Sequence, residues 1–362
     1  MEMESPRYLL LQNLSAQPGC ALPLNPTRKG FPLPAPENTQ TAPSPFADKV
    51  REHVRKTVVG QDVVLERGLI SLLTGGHLLL EGVPGTAKTL LVQSLAHAIE
   101  LQFGRVQFTI DLLPSDIVGS EILDKDSGEF RTHKGPIFTN LLLADEINRA
   151  SPKVQSALLE AMQERKVTIG ESTYSLPSPF LVIATQNPVE QAGTFELPEA
   201  QLDRFLMRHR LTYLEADDES EVLKRALNLK LRRSEDGGAM PMSAFDAIDK
   251  SAPLGVKDLT AAMEKVLEVH VSDVFVRHCV DLVNKTRNHP DIELGGSPRA
   301  GISLVTASRA RAFLHGRDYV VPEDIFALAE DILLHRIRLS YEAVARGRND
   351  ADVLAEILDQ LA

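Results

Sequence analysis

Gly82-Val83-Pro84-Gly85-Thr86-Ala87-Lys88-Thr89 decides the reading of this chain, because of what stands on either side of it. Before it, His77-Leu78-Leu79-Leu80-Glu81 is a short apolar run closed by a glycine, which predicts a buried strand; after it, Thr89 to Glu100 has the pattern of a helix. A glycine-rich turn ending in Lys-Thr between a strand and a helix is a phosphate-binding loop. Successive backbone N–H groups and the helix N-terminus face an anion, the lysine reaches the β and γ phosphates, and the threonine hydroxyl is offered to Mg²⁺. The stretch Gly82 to Thr89 is therefore expected to hold a nucleoside triphosphate, with Lys88 on the phosphates and Thr89 on the metal. At one position it departs from the general pattern. Ala87 stands where a glycine is usual, and one added methyl group predicts only slight distortion.

A second motif completes the chemistry. Leu141-Leu142-Leu143-Ala144-Asp145-Glu146 is an apolar strand delivering two adjacent carboxylates at its C-terminal end, where ligands sit in open α/β sheets. It reads as a Walker B motif, with Asp145 on Mg²⁺ and Glu146 as the general base that polarises the attacking water. Taken alone, an Asp-Glu pair is more often a solvated strand end; the upstream loop gives it meaning. A third buried strand, Phe180 to Thr185, ends in Gln186-Asn187-Pro188, so the Asn187 amide is expected beside the Walker B carboxylates as a sensor that orients water. Val106 to Ile110 reads as another strand, and Ser151-Pro152 opens a helix carrying Val154, Ala157, Leu158 and Ala161 on one face. Apolar strands alternating with helices predict a parallel sheet covered on both faces.

The 362-residue chain carries 50 acidic against 39 basic residues and 43% hydrophobic residues, a composition that suits a multi-domain soluble protein and repels polyanions. Nucleic acid is not an expected partner. Apolar runs such as Tyr8 to Leu11 fall short of the ~20 residues that span a bilayer, and the same run is too short for a secretory signal, so a cytoplasmic location is expected. Cys20 and Cys279 stand alone, with no zinc spacing or disulfide framework. Prolines recurring between Pro18 and Pro45 predict a flexible tail over 1–45. The α/β core is expected over 46–215, a connecting segment over 216–256 with a helix at Glu219 to Arg232 and a Gly/Pro/Ser-rich break between Ser234 and Pro253, and an all-helical domain over 257–362, with helices at Lys257 to Glu268, Ser272 to Arg287, Ser303 to His315 and Pro322 to Leu339.

Two phrases, Asp145-Glu146-Ile147-Asn148-Arg149-Ala150 and Leu197-Pro198-Glu199-Ala200-Gln201-Leu202-Asp203-Arg204-Phe205, resemble the MoxR family of AAA+ ATPases, over about Phe46 to Leu339. The resemblance implies a five-stranded parallel AAA+ core, a helical lid, and a ring, commonly a hexamer, that binds ATP between neighbouring subunits. It implies that Arg204 is the arginine finger for the neighbour's γ phosphate, with Arg208 close enough to compete for that role, and that Arg299 in Ser297-Pro298-Arg299-Ala300 is the lid's sensor arginine, released when the γ phosphate is lost. From the residues alone each would read as an ordinary surface arginine. Val59-Gly60-Gln61 matches the family's adenine-side contact. Gly119 to Lys134 and Lys166 to Pro177 resemble hairpins that line the ring pore in relatives. The implied activity is ATP hydrolysis coupled to chaperone-like remodelling, maturation or activation of a partner protein, among relatives one with a von Willebrand factor A domain. The alternatives are a nucleic-acid motor or a metal-chelatase-like subunit of the same ATPase class. A GTPase is disfavoured, since Asn284-Lys285-Thr286-Arg287 has arginine where a guanine reader needs aspartate.

Overall fold

The computed structural model describes residues 43–361 apart from 83–84, 126–127, 188–192, 229–230 and 234–238. The expected tail as far as residue 42, Cys20, Val83, Pro84 and the hairpin turn at Asp126-Ser127 lie outside the described residues.

Helix α1 (Pro45–Arg55) begins with a first-turn proline and buries Phe46, Val50 and Val54 along one stripe. Helix α2 (Asp62–Thr74) stops at Gly75, whose φ of 66° supplies a left-handed cap. The chain continues through β1 (Leu78–Glu81), α3 (Lys88–Ala98), β2 (Phe103–Gln107), α4 (Pro114–Val118), the antiparallel hairpin β3 (Gly119–Leu123) and β4 (Phe130–Lys134), β5 (Leu141–Asp145) and α5 (Pro152–Glu164). A second hairpin, β6 (Lys166–Ile169) and β7 (Ser172–Ser175), precedes β8 (Leu181–Gln186), the short α6 (Glu199–Leu202) and β9 (Met207–Arg210). Five of these strands form one parallel sheet in the order β2-β5-β8-β1-β9.

Strand alternation divides the apolar side chains between two cores. Leu78, Leu80, Leu141, Leu143, Leu181 and Ile183 enter the core shared with α1, α2, α3 and the helices that follow the sheet. Leu79, Leu142, Ala144, Val182 and Ala184 enter the opposite one, with Phe108, Leu158 and Phe205. Being buried on both faces, these strands read as continuous apolar runs rather than as alternation. Each such leucine contributes roughly 1.5–3 kcal/mol by leaving water.

The sequence places β2 three residues late, at Val106 to Ile110. Phe108 is buried just beyond the strand end but Ile110 is 64% exposed, so an apolar pattern continues past the ladder. Strand β9 is not foreseen. Met207-Arg208-His209-Arg210 has one apolar residue, and it pairs only with β1 at the sheet edge.

After the sheet come α7 (Ala216–Leu227), a small ladder of β10 (Leu231–Arg233) with β11 (Ala239–Pro241), α8 (Val256–Glu268) and α9 (Asp273–Asn288). They are followed by β12 (Ile292–Leu294), α10 (Pro298–Leu314), α11 (Pro322–Leu333), β13 (Arg338–Leu339), α12 (Tyr341–Ala345) and α13 (Asp350–Asp359). The helical lid thus also carries a short β12–β13 ladder, and the apolar run from Pro322 breaks at Leu333 rather than running to Leu339. Lid and core meet through a buried ion network: Arg67 of α2 donates to Asp331 of α11 at 2.6 Å, and His209 of β9 lies 2.9 Å from the other Asp331 oxygen. Among the described residues no helix is long and apolar enough to cross a membrane.

Candidate functional site

The parallel order sets three strand ends side by side. Strand β8 lies between β1 and β5, pairing Glu81 with Gln186 and Ala144 with Ala184. Gly82, Asn187 and the Asp145-Glu146 pair therefore converge at the carboxyl edge of the sheet. They line one open cleft of about 280 Å³ with Gly85, Thr86, Ala87, Lys88, Thr89, Thr185 and Phe245. This is the crevice in which open α/β sheets bind ligands. Helix α3 begins at Lys88 on its floor, so the positive end of the helix dipole faces into it.

Lys88 Nζ donates to the Gly82 carbonyl at 2.9 Å, which curls the loop around its own lysine. Partial burial lowers the Lys88 pKa from its ordinary value, and the charges of Asp145 and Glu146 oppose that shift. Ala87 adopts φ 55°, ψ 22°, a left-handed conformation. The usual glycine at this position is thereby explained: the cost of alanine here is conformational, about 1–2 kcal/mol, rather than a crowding of the methyl group as the sequence suggests. Glu146 shares the property, with φ 57°.

Each acid is held by neighbours most of which lie outside its own motif. Asp145 accepts from Thr185 Oγ1 at 2.6 Å on one oxygen and from Arg105 at 2.7 Å on the other. Glu146 accepts from Gln107 at 2.8 Å and pairs with Arg149 at 3.0 Å. Thr185, 1% exposed, is the hinge of this arrangement, because its hydroxyl also accepts the Glu146 backbone N–H at 2.8 Å. Buried Asn148 donates to the Asn187 carbonyl and so ties the Walker B turn to the end of β8. Arg105 and Gln107 come from β2, whose register sets Gln107 opposite Asp145. Only the pairing of β2 with β5 identifies them. Phe245 reaches the cleft from the segment between β11 and α8, with no signal in its local sequence.

The donor set fits a nucleotide triphosphate with a hard cation. Lys88 and the α3 N-terminus supply positive charge for phosphates, while the Thr89 hydroxyl and the Asp145 carboxylate offer oxygen ligands of the kind Mg²⁺ takes. Val59, Gly60 and Gln61 do not line this cleft. They form the turn between α1 and α2, where Gly60, at φ 70°, sits against Asp218 and Leu214 so closely that a Cβ would fall 2.4 Å from an Asp218 oxygen.

The three arginines separate. Arg208 turns inward, 3.5 Å from Glu81 and 3.9 Å from Asp350. Arg204 and Arg299 line a different cavity of about 320 Å³, together with Gly76, His77, Asp203 and Arg336. Arg299 does not approach the phosphate loop of its own chain; its guanidinium lies 3.6 Å from Asp203, beside Arg204. Gly76 precedes β1 and Gly82 follows it, so at ~3.3 Å per strand residue the two cavities open at opposite ends of the sheet, roughly 20 Å apart.

Residues 77–207 match the family described as ATPase family associated with various cellular activities (AAA), and residues 284–357 match the AAA lid domain. The chain is 43% identical over 314 residues to the uncharacterized protein YeaC of Bacillus subtilis, covering 87% of this chain and 93% of that one. It is 42% identical over 318 residues to the chaperone MoxR1 of Mycobacterium tuberculosis, covering 85% and 80%. This chain belongs to the MoxR family of AAA+ ATPases. The crystal structure of a candidate ATPase from Cytophaga hutchinsonii superposes with a TM-score of 0.78 at 44% identity, covering 88% of this chain and 95% of that one. The MoxR proteins of Paracoccus denitrificans and Methylorubrum extorquens are 34% and 29% identical. Family membership accounts for the sheet order, the phosphate loop and the lid. It carries with it, in general terms, nucleotide binding and ATPase activity.

Proposed function

We propose that this MoxR-family chain hydrolyses ATP at sites shared between neighbouring copies of a ring, and uses the cycle for chaperone-like remodelling or activation of a partner protein. One observation carries the reading. Lys88, Thr89, Asp145, Glu146 and Asn187 share the carboxyl-edge cleft, whereas Arg204 and Arg299 share a cavity at the amino edge. The arginine cavity, lined by Gly76, and the phosphate loop at Gly82 stand at opposite ends of β1, ~20 Å apart at ~3.3 Å per strand residue, a separation that favours service to the next subunit's nucleotide.

In this scheme Lys88 and the α3 N-terminus bind the phosphates. Thr89 and Asp145 hold Mg²⁺, which when bound neutralises charge developing on the phosphates. Glu146 accepts a proton from the attacking water, and Asn187 orients that water. Arg204 and Arg299 arrive from the neighbour, and an arginine supplied in trans is worth ~10³-fold or more in P-loop enzymes. Assembly then acts as the switch. The reading assigns the finger to Arg204 rather than Arg208, because Arg208 is engaged with Glu81 and Asp350 inside its own chain. The chaperone-like half rests on the name carried by the mycobacterial relative and on the two hairpins, β3–β4 presenting Ile122, Leu123 and Phe130 to solvent. The partner, for which a von Willebrand factor A domain protein is the first to try, the hexameric ring size and the cytoplasmic setting belong to the same proposal.

The test is turnover against protein concentration for the wild type, Glu146→Gln, Arg204→Ala and an equal mixture of the two variants. Activity that rises cooperatively, vanishes in each variant and partly returns on mixing supports shared sites. Concentration-independent turnover that survives Arg204→Ala refutes them.

A further inference from the structure

The Asp203–Leu206 segment that presents Arg204 is anchored in the core by buried Phe205 and Leu206, and one residue of the lid also binds its polar groups. Arg336 follows α11, is 7% exposed and spreads its guanidinium across that segment. Its Nε donates to Asp203 Oδ1 at 2.8 Å, and its terminal nitrogens donate to the carbonyls of Phe205 at 2.6 Å and Leu206 at 3.2 Å. The same nitrogens reach Ser303 Oγ on α10 at 3.2 Å and the Ile332 carbonyl on α11 at 2.5 Å. Its neighbour His335, also buried, lies 3.3 Å from the Phe205 carbonyl. Asp203 answers from the other side. Its carboxylate accepts from the Ser297 hydroxyl, which caps α10, and pairs with Arg299 on the first turn of that helix. Arg204, between these contacts, has no side-chain partner among the described residues other than the cavity it lines.

We propose that Arg336 is the positioning residue for the trans arginines: through Asp203 and the carbonyls of 205 and 206 it locks the Arg204 segment to helix α10, so that Arg204 and Arg299 reach the neighbouring nucleotide as one rigid pair. The physical basis is its planar fork. A guanidinium satisfies several fixed acceptors at once, whereas a lysine ammonium is a flexible point charge. Reach to the neighbour depends on that geometry, since a displacement of about 1 Å at a reacting centre can cost ~10²-fold. The inference rests on the shared-site reading above. It adds that the lid of one subunit sets the chemistry of the next, so lid movement in one copy changes hydrolysis in its neighbour.

The experiment uses full-length rings and compares Arg336→Gln, Arg336→Lys and Asp203→Asn with Arg204→Ala, each alone and mixed with Glu146→Gln. A Glu146→Gln subunit lacks its own general base but still offers intact arginines. The expected result is a fall in kcat of tenfold or more for both Arg336 variants and less for Asp203→Asn. Affinity for a fluorescent ATP analogue should stay within about twofold of wild type, and turnover should return on mixing. Arg336→Lys should not rescue Arg336→Gln, because charge alone is not the requirement. Wild-type turnover in assembled Arg336→Gln rings overturns the proposal, as does a loss accompanied by weakened nucleotide binding that mixing fails to restore. Should Arg336→Gln not fold, Asp203→Asn decides by the same two readouts. Arg204→Ala separates the two claims. If it retains full turnover at all concentrations, the shared site itself fails; if mixing restores Arg204→Ala but neither Arg336→Gln nor Asp203→Asn, the positioning role alone fails.

Discussion

Replacing Thr185 by valine removes one oxygen from the hinge between the two Walker B acids and leaves the side-chain shape nearly unchanged. Two bonds go with it: the 2.6 Å donation to Asp145 and the 2.8 Å acceptance from the Glu146 N–H. A hydrogen bond to a charged group contributes about 1.5–3 kcal/mol, and an orphaned buried amide costs about 1–3 kcal/mol. The Asp145 side chain is 14% exposed, so water recovers part of this and the lower halves of both ranges apply. The expected loss of stability is ~2–4 kcal/mol, or roughly 3–5 °C in Tm for a chain of this size. Catalysis should suffer further, because the hydroxyl fixes where both carboxylates point; a misplacement near 1 Å implies ~10²-fold in kcat. Differential scanning calorimetry and steady-state ATP turnover read the two effects, and Thr185→Ser, which keeps the oxygen, should recover most of both. A Thr185→Val protein melting within a degree of wild type with unchanged turnover would refute the hinge.

Other outcomes follow from the same geometry. Ala87→Gly relieves left-handed strain of about 1 kcal/mol but adds comparable freedom to the unfolded chain, so nucleotide affinity and Tm should barely move, while Ala87→Val, β-branched at positive φ, should weaken binding by tenfold or more in a nucleotide titration. His77 is pulled down to about 4 from 6.5, first by burial and further by the Arg165 charge, with its hydrogen bond to the Met162 carbonyl opposing. The unfolded chain then binds the proton that the folded chain refuses. Its contribution should be constant above pH 6.5 and fall by ~3 kcal/mol as pH drops from 6.5 to 4, a slope in chemical denaturation that His77→Gln should flatten. Lys88→Ala should abolish ATP binding in equilibrium titration, whereas Glu146→Gln should bind ATP normally and accumulate as the assembled, nucleotide-bound form by size-exclusion chromatography; equal affinity in Lys88→Ala and wild type would remove the lysine from the site.

What was legible in the sequence is what a few consecutive residues can build. The phosphate loop needs only a strand, a turn and a helix in succession, so Gly82 to Thr89 announces itself. Asp145 and Glu146 do so because a buried strand must end where its apolar run ends. The core strands β1, β5 and β8 are readable because burial on both faces demands unbroken apolar residues. Strand β9 demands nothing of the kind at the sheet edge, so Met207 to Arg210 carries no signal. The order β2-β5-β8-β1-β9 is non-local, and it alone sets Thr185 against Asp145 and Gln107 against Glu146. The strain at Ala87 is likewise invisible in a residue name, since it resides in a backbone angle. The arginines make the same point. Arg204 and Arg208 stand four residues apart and read alike, yet packing turns Arg208 onto Glu81 and leaves Arg204 beside Arg299 and Arg336, which come from far along the chain. Sequence by itself determined which nucleotide chemistry the chain carries, because that chemistry is written in short contiguous motifs. Tertiary structure decided which side chains hold those motifs in place and at which edge of the sheet the arginines lie, because both depend on contacts between segments that sequence separates by about 40 residues in the first case and about 100 or more in the second.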